Sequence, residues 1–157
     1  MKARQLKASS IAAAVTVAAL LVAGCGGGDQ SETATLSKHQ FLKQANAICK
    51  ESTDAQAAAF RQGLAEVEKS QANGNTDQQE LRKMLTAPTY RAVESMINEV
   101  SALGLPAEDE EAAKKVIEEF EAGLEKAEAD PAVYLTGKAF KKADDEADAY
   151  GMNDCGV

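Results

Sequence analysis

Apolar side chains recur every three or four positions along four stretches of this chain, which is the spacing of a helix that buries one face. Short turn-forming segments separate these stretches, at residues 73–75, 104–106 and 130–131. Aromatic residues are only 4% of the chain and Trp is absent, so Ala, Leu, Val and Ile must fill the interior. The pattern predicts an all-α protein, an antiparallel up-down four-helix bundle over residues 37–157.

The first predicted helix begins after Ser37, because Ser37 and Gln40 have the spacing of a capping box. Its apolar face extends to the turn at 73–75 and comprises Phe41, Ala45, Ile48, Cys49, Ser52, Ala55, Ala59, Phe60, Leu64 and Val67. Cys49 belongs to this face, so we expect its thiol to point at the core.

The second predicted helix starts with another capping-box spacing, Thr76 and Gln79, and continues to the next turn. Pro88 lies inside it, and proline lacks the amide hydrogen that an interior helical residue donates. We therefore expect a kink or a short break at Pro88. The third helix is expected to begin near Asp109, where the acidic residues 108–111 lie at the positive end of the helix dipole.

The fourth predicted helix has Asp130 as its N-cap, Pro131 at its first position and Gly151 as the residue that ends it. Met152 is expected to fold back onto that helix end. The side chains expected to face inward are Leu135, Ala139, Phe140, Ala143, Ala147 and Tyr150.

Residues 1–24 follow a different pattern. Three basic residues precede an apolar run at 11–22, and small residues then lead to Cys25. This order is typical of an export signal, and the run is shorter than the roughly 20 residues that a membrane-spanning helix needs. A plain cleaved signal and an uncleaved anchor are the alternatives to the lipoprotein interpretation that follows.

The pair Gly24 and Cys25 is similar to the lipobox of bacterial lipoproteins. In those proteins the cysteine thiol carries a diacylglyceryl group, and the leader is cut just before it. We therefore predict a lipoprotein signal peptide at residues 1–24 and lipidation of Cys25, followed by a flexible tether over residues 25–36. The predicted location is the outer face of the bacterial cell membrane, with the membrane as a partner through this lipid.

The chain has three cysteines, Cys25, Cys49 and Cys155. Lipidation of Cys25 explains the odd number and leaves a pair in an oxidising compartment. We predict a Cys49–Cys155 disulfide; two free or metal-binding thiols are the alternative. That alternative has little support, because His39 is the only histidine and no C-x-x-C motif occurs.

The charge of the chain limits its partners. Without residues 1–24 it has 14 basic and 25 acidic residues, a formal charge of −11. Such a surface repels nucleic acid and anionic headgroups, so we expect no nucleic-acid partner and no basic membrane patch.

No motif for catalysis, a metal or a cofactor is recognisable, and we predict that the protein is not an enzyme. His39 is expected to be exposed at the start of the first helix. The acidic runs at 108–111 and 144–148 are interpreted as a helix cap and a solvated helix face. Gly63, Gly123 and Gly137 fall inside predicted helices, where close helix packing is favoured over room for a ligand.

Two segments, residues 37–49 and residues 150–156, resemble those of small exported lipoproteins of actinobacteria. Those proteins pair a cysteine in an early helix with a C-terminal Tyr-Gly-x-x-x-Cys-Gly tail. The turns at 104–107 and 130–131 also match this group. The resemblance supports the Cys49–Cys155 pairing and implies no particular activity.

The leading hypothesis is a non-enzymatic, membrane-anchored lipoprotein with a structural or protein-interaction role in the cell envelope, with an envelope protein as its partner. The alternative hypothesis is a bundle that binds a small apolar or lipid ligand in its core. That site would lie near Phe60, Gly63, Phe120 and Gly123, the residues that offer rings and space between helices.

Overall fold

Five helices and no strand make up residues 36–157, the part of the chain that this computed structural model describes. The helices are α1 (Lys38–Ala72), α2 (Gln78–Ala102), α3 (Glu110–Ala129), α4 (Pro131–Leu135) and α5 (Lys141–Tyr150). The predicted all-α class is confirmed. The predicted signal peptide, the cleavage position at Gly24, the lipidation site Cys25 and the tether up to residue 35 lie outside the described residues.

The helices form an antiparallel bundle in which α1 packs on α2, α2 on α3, and α3 on α5. The starts of α1 and α3 and the end of α5 lie together. The backbone amide of Lys38 donates to the Glu108 carboxylate at 2.7 Å, and the Lys38 ammonium lies 2.8 Å from the Asp109 carboxylate. The same ammonium is 4.6 Å from the centre of the Tyr150 ring. The acidic residues before α3 therefore complete the N-terminus of α1.

The cap of α1 is confirmed, whereas the cap of α2 is shifted by one residue. The amide of Gln40 donates to the Ser37 hydroxyl at 3.3 Å, and the Ser37 amide donates back to the Gln40 side chain at 3.0 Å. Asp77, not Thr76, caps α2, and its carboxylate accepts from the two amides of residues 79–80 at 2.8 and 3.1 Å. A carboxylate also complements the helix dipole, which a hydroxyl does not, so the prediction of Thr76 was wrong.

Helix α2 continues through Pro88 without a break. Pro88 is buried, and so are Thr89 and Tyr90 next to it. The Tyr90 hydroxyl donates to the Ala127 carbonyl of α3 at 2.8 Å. The amide hydrogen that Pro88 lacks would by itself favour an interruption of the helix. The packing of residues 88–90 keeps the helix continuous.

The predicted fourth helix is interrupted by a turn at residues 136–140, which separates α4 from α5. Gly137 in this turn has a φ of +70°, a conformation that glycine adopts without strain. The turn leads into Phe140, whose ring covers Gly123 of α3. Leu135 is 42% exposed, so the prediction that it faces inward was wrong. That prediction assumed one continuous helix, whereas α4 ends at Leu135.

The end of α5 is confirmed. Gly151 has a φ of +105°, and the Met152 amide donates to the Ala147 carbonyl at 2.8 Å. The Met152 side chain is buried, which is the hydrophobic contact that accompanies such a helix end.

The residues after α5 run back along α1 and close the bundle. Cys155 forms the predicted disulfide with Cys49, and their Cα atoms are 4.7 Å apart. The Asn46 side chain donates to the Gly151 carbonyl and accepts from the Asp154 amide, both at 3.0 Å. The C-terminal segment is therefore fixed to α1 by one covalent bond and two hydrogen bonds.

One apolar core lies in this body. It is formed by Phe41, Ala45, Cys49, Tyr90, Val93, Met96, Ile97, Val100, Ala113, Val116, Phe120, Ala127, Ala139, Phe140, Ala143, Ala147, Met152 and Cys155. No residue between 50 and 89 belongs to it.

Candidate functional site

The four residues predicted to line a ligand site lie in two separate places. Phe60 and Gly63 belong to α1, whereas Phe120 and Gly123 belong to α3. No Cα of α1 lies within 8 Å of a Cα of α3. A methyl group on Gly63 would overlap the Leu85 carbonyl, and one on Gly123 would meet the Phe140 ring. Close helix packing therefore accounts for both glycines.

The core beside Phe120 has little free volume. The cavity there measures about 10 Å³, and Cys49, Met96 and Met152 are among its neighbours. That volume is about enough for one water molecule. The core beside Phe120 thus has no cavity of the size that the ligand hypothesis needs.

The polar residues singled out in the sequence do not converge on a reaction centre. His39 is exposed on the first turn of α1, as predicted. Within residues 36–157 no three His, Cys, Asp or Glu side chains are grouped closely enough to hold a metal ion. No helix of that part of the chain is long and apolar enough to cross a membrane. The acids of α5 form separate surface ion pairs, Lys141–Asp145 and Lys115–Glu146, each at 2.7 Å.

A pair of helices extends beyond the core. We define residues 57–85 as the hairpin extension: the last four turns of α1, the first two turns of α2 and the connection between them. None of these residues belongs to the core cluster, and Gly63 is the one residue of α1 after Ser52 that is buried. At 1.5 Å per residue, the α1 part of the extension is about 24 Å long.

The hairpin extension is held together by its own contacts. Gly63 lets the backbone of α1 approach the Leu85 carbonyl of α2 directly. At the tip, the Asn75 side chain donates to the Ser70 hydroxyl at 3.0 Å and to the Glu80 carboxylate at 2.9 Å. These contacts fix the two helices to each other but cover only one side of α1.

One face of the extension carries an apolar seam. Its members alternate steps of three and four residues along α1: the apolar Ala57, Phe60, Leu64 and Val67, followed by the polar Gln71 at the next position of the spacing. Leu64 is 42% exposed, whereas Phe60 and Val67 are half-buried, and none of the three packs against the core cluster. This is the a and d spacing of a coiled coil, and such a face is typical of a surface that receives another helix. The seam is the candidate functional site.

The charge of the extension differs from that of the body. Residues 57–85 have four basic and four acidic side chains, a formal charge of zero. Residues 36–56 together with 86–157 have 10 basic and 19 acidic side chains, a formal charge of −9. A second molecule therefore meets far less electrostatic repulsion at the extension than at the body.

The opposite flank of the same helices contains an open groove of about 450 Å³. Lys69 and Arg91 line it together with Glu66. Opposite charges side by side at an open surface are typical of a solvated helix face, so we assign no ligand to this groove.

Two sets of residues at these sites were not predicted from the sequence. Asn46 gave no signal, because a single Asn on a helix has no distinguishing pattern. Three residues of the seam, Phe60, Leu64 and Val67, were recognised as apolar but were expected to be covered by the bundle, and Ala57 and Gln71 were not assigned to that face. A comparison of predicted helix lengths would have found it, because the first helix is much longer than the others.

No protein-family model, curated protein or solved structure matches this chain. The function is therefore inferred from the sequence signals and from the geometry of residues 36–157.

Proposed function

We propose that this protein is a lipid-anchored, extracytoplasmic protein of the bacterial cell envelope. It acts without catalysis, by binding protein through the hairpin extension. The observation that carries the proposal is the apolar seam on a helix pair whose residues lie outside the core cluster. An apolar helix face outside the core costs solubility, so a partner that covers it gives the best reason for it.

The anchoring part of the proposal is supported by two features. The residues at 21–25 have the order of a lipobox, and lipid on Cys25 would hold the protein at the outer face of the membrane. The Cys49–Cys155 disulfide fits the same location, because such bonds persist in oxidising compartments outside the cytoplasm.

The position of the seam relative to residue 36 supports the interaction part. Val67 lies 29 residues after Lys38, the first residue of α1, which is about 44 Å along the helix. The seam thus lies at the end of α1 that is farther from the chain leading to Cys25. An anchor at Cys25 would leave the seam accessible to another protein.

Mass spectrometry of the N-terminal peptide tests the anchor. We expect Cys25 as the first residue, carrying acyl chains, and recovery of the protein in the membrane fraction. The matched variant Cys25→Ser should lose the lipid and leave the membrane fraction. A native N-terminus other than Cys25, or an unmodified Cys25, contradicts the anchor.

Site-specific photo-crosslinking in intact cells tests the interaction. A photoreactive residue at Leu64 should give discrete protein adducts, and one at the exposed Glu118 of α3 should not. If both positions give the same adducts or none, the seam is not the binding surface.

A further inference from the structure

We infer that the seam binds a second copy of this chain, with the two α1 helices antiparallel and related by a two-fold axis. This assignment rests on the proposed function, which makes the seam the interaction surface. Three observations select this partner: the seam's spacing, two unpaired opposite charges beside it, and the uneven charge of the molecule.

The spacing allows the seam to pack against itself. In an antiparallel pair of helices, an a residue of one chain lies against a d residue of the other. Leu64 then lies against Val67 of the second copy, and Phe60 lies against Gln71 of the second copy. The two-fold axis repeats both layers, so that one surface of each molecule covers the same surface of the other.

The charges that flank the seam favour this register. Arg61 and Glu68 are exposed, one heptad apart on the same side of the seam, and neither has an ion-pair partner within residues 36–157. With Leu64 against Val67 of the second copy, Arg61 of each chain faces Glu68 of the other. Two reciprocal ion pairs therefore form across the interface.

The same charges disfavour the neighbouring register. If Leu64 lay against Phe60 of the second copy, Arg61 would face its own counterpart across the two-fold axis. Asp54 would then face Glu68 of the second copy. Like charges in contact oppose that pairing, so the charge pattern favours Leu64 against Val67 of the second copy over this register.

The distribution of net charge also favours an antiparallel pair. The extension is neutral and the body carries −9, so parallel alignment would bring two acidic bodies together. In the antiparallel register the two copies of residue 56 are about 28 Å apart along the helix axis. That separation exceeds three Debye lengths of about 8 Å at physiological ionic strength, so the bodies hardly repel each other.

The chain's own tether is excluded as the occupant of the seam. Residues 25–35 lead into α1 at its far end, and 11 residues span at most about 40 Å when fully extended. Leu64 lies about 39 Å along α1, so a fully extended tether would bring only its first residue, Cys25, to the middle of the seam, and the tether has no apolar run to place there. When the two-fold axis of the dimer is perpendicular to the bilayer, the lipid anchors of both copies face the same membrane.

Charge exchange tests the pairing on the purified mature protein in detergent, by sedimentation velocity and native mass spectrometry. We expect the wild-type protein to be a dimer. Arg61→Glu and Glu68→Arg should each weaken the dimer by about tenfold or more, because each replaces two attractive pairs with two repulsive ones. A mixture of the two variants should form heterodimers, because every cross-pair then joins opposite charges.

Two further variants complete the design. Leu64→Glu should weaken the dimer by about a hundredfold, since it places two charges in the apolar seam. The control Ala58→Glu introduces the same charge on the same helix away from the seam, and it should leave the dimer unchanged. All four positions are exposed, and retention of the helical circular dichroism spectrum verifies folding.

Each other outcome overturns the proposed pairing of two seams. A monomeric wild type that crosslinks another protein at Leu64 rejects the dimer and leaves the proposed function intact. A dimer that none of these exchanges alters uses a different surface. A mixture of the charge variants that forms no heterodimer excludes the antiparallel register.

Discussion

Removal of the Cys49–Cys155 disulfide should destabilise the body strongly. The bond joins residues separated by 106 positions. In the chain-entropy model, closing a loop of that size stabilises the folded state by about 4.7 kcal/mol. A domain of this size has a free energy of unfolding of roughly 6–18 kcal/mol, so the bond supplies a large share of it.

The expected loss is visible in thermal unfolding. At this chain length, each kcal/mol shifts Tm by about 4 °C, so the double variant Cys49→Ala, Cys155→Ala should unfold roughly 15–25 °C below the wild type. Circular dichroism at 222 nm measures the transition. Reduction of the wild type should lower its Tm toward that of the double variant.

The control is the single variant Cys25→Ser, whose body keeps the disulfide and should keep its Tm. A Tm of the double variant within about 3 °C of the wild type would refute the reasoning, since it would mean that the bond contributes less than about 1 kcal/mol. Reaction of Cys49 or Cys155 with maleimide before reduction would contradict the bond itself.

Three further substitutions have expected outcomes. Asn46→Ala removes both hydrogen bonds to the C-terminal segment and should cost about 2 kcal/mol in urea unfolding. Gly63→Ala should destabilise the protein by about 1–3 kcal/mol, because the added methyl group overlaps the Leu85 backbone. This loss is expected even though Ala is the better helix former by about 1 kcal/mol. The control Gln62→Ala, at the exposed neighbouring position, should change stability by less than about 0.5 kcal/mol. Burial raises the pKa of the Asp144 carboxyl, and the Val157 amide that donates to it opposes part of that rise. Because the folded state favours the protonated acid, stability falls as pH rises from the ordinary Asp range through the raised pKa. Asp144→Asn should therefore raise Tm relative to the wild type at pH 7 and lose that advantage below pH 3. A difference in Tm between variant and wild type that is the same at both pH values would contradict this.

The elements that could be predicted are those fixed by local chemistry. The Ser37 capping box, the left-handed Gly151 and the pairing of two remaining cysteines each depend on a few residues and on known geometry. The errors arose where distant packing decided the outcome. Of the kink or short break expected at Pro88, the break does not occur because the surroundings of Pro88 are packed, and the fourth helix breaks at Gly137, where the chain turns before Phe140 covers Gly123.

The candidate site could be predicted only in part, since a periodic apolar face shows that a helix buries one side but not what covers it. The stripe of α1 was interpreted as core along its whole length. Its first half is core, through Phe41, Ala45 and Cys49, and its second half supplies the seam residues Phe60, Leu64 and Val67. The residue types do not differ enough between the two halves to separate them.

Helix length is the physical reason that the seam lies outside the core cluster. α1 has 35 residues, about 52 Å, whereas α3 has 20 residues, about 30 Å. About 22 Å of α1 must therefore extend beyond α3, however the side chains pack. A bundle that needed only stability would shorten α1, because ordering each additional residue costs roughly 1–2 kcal/mol of backbone entropy. The extension has an a and d seam and opposite charges one heptad apart, and a helix that covers the seam best explains both features. The charge exchange between Arg61 and Glu68 decides whether that helix comes from a second copy.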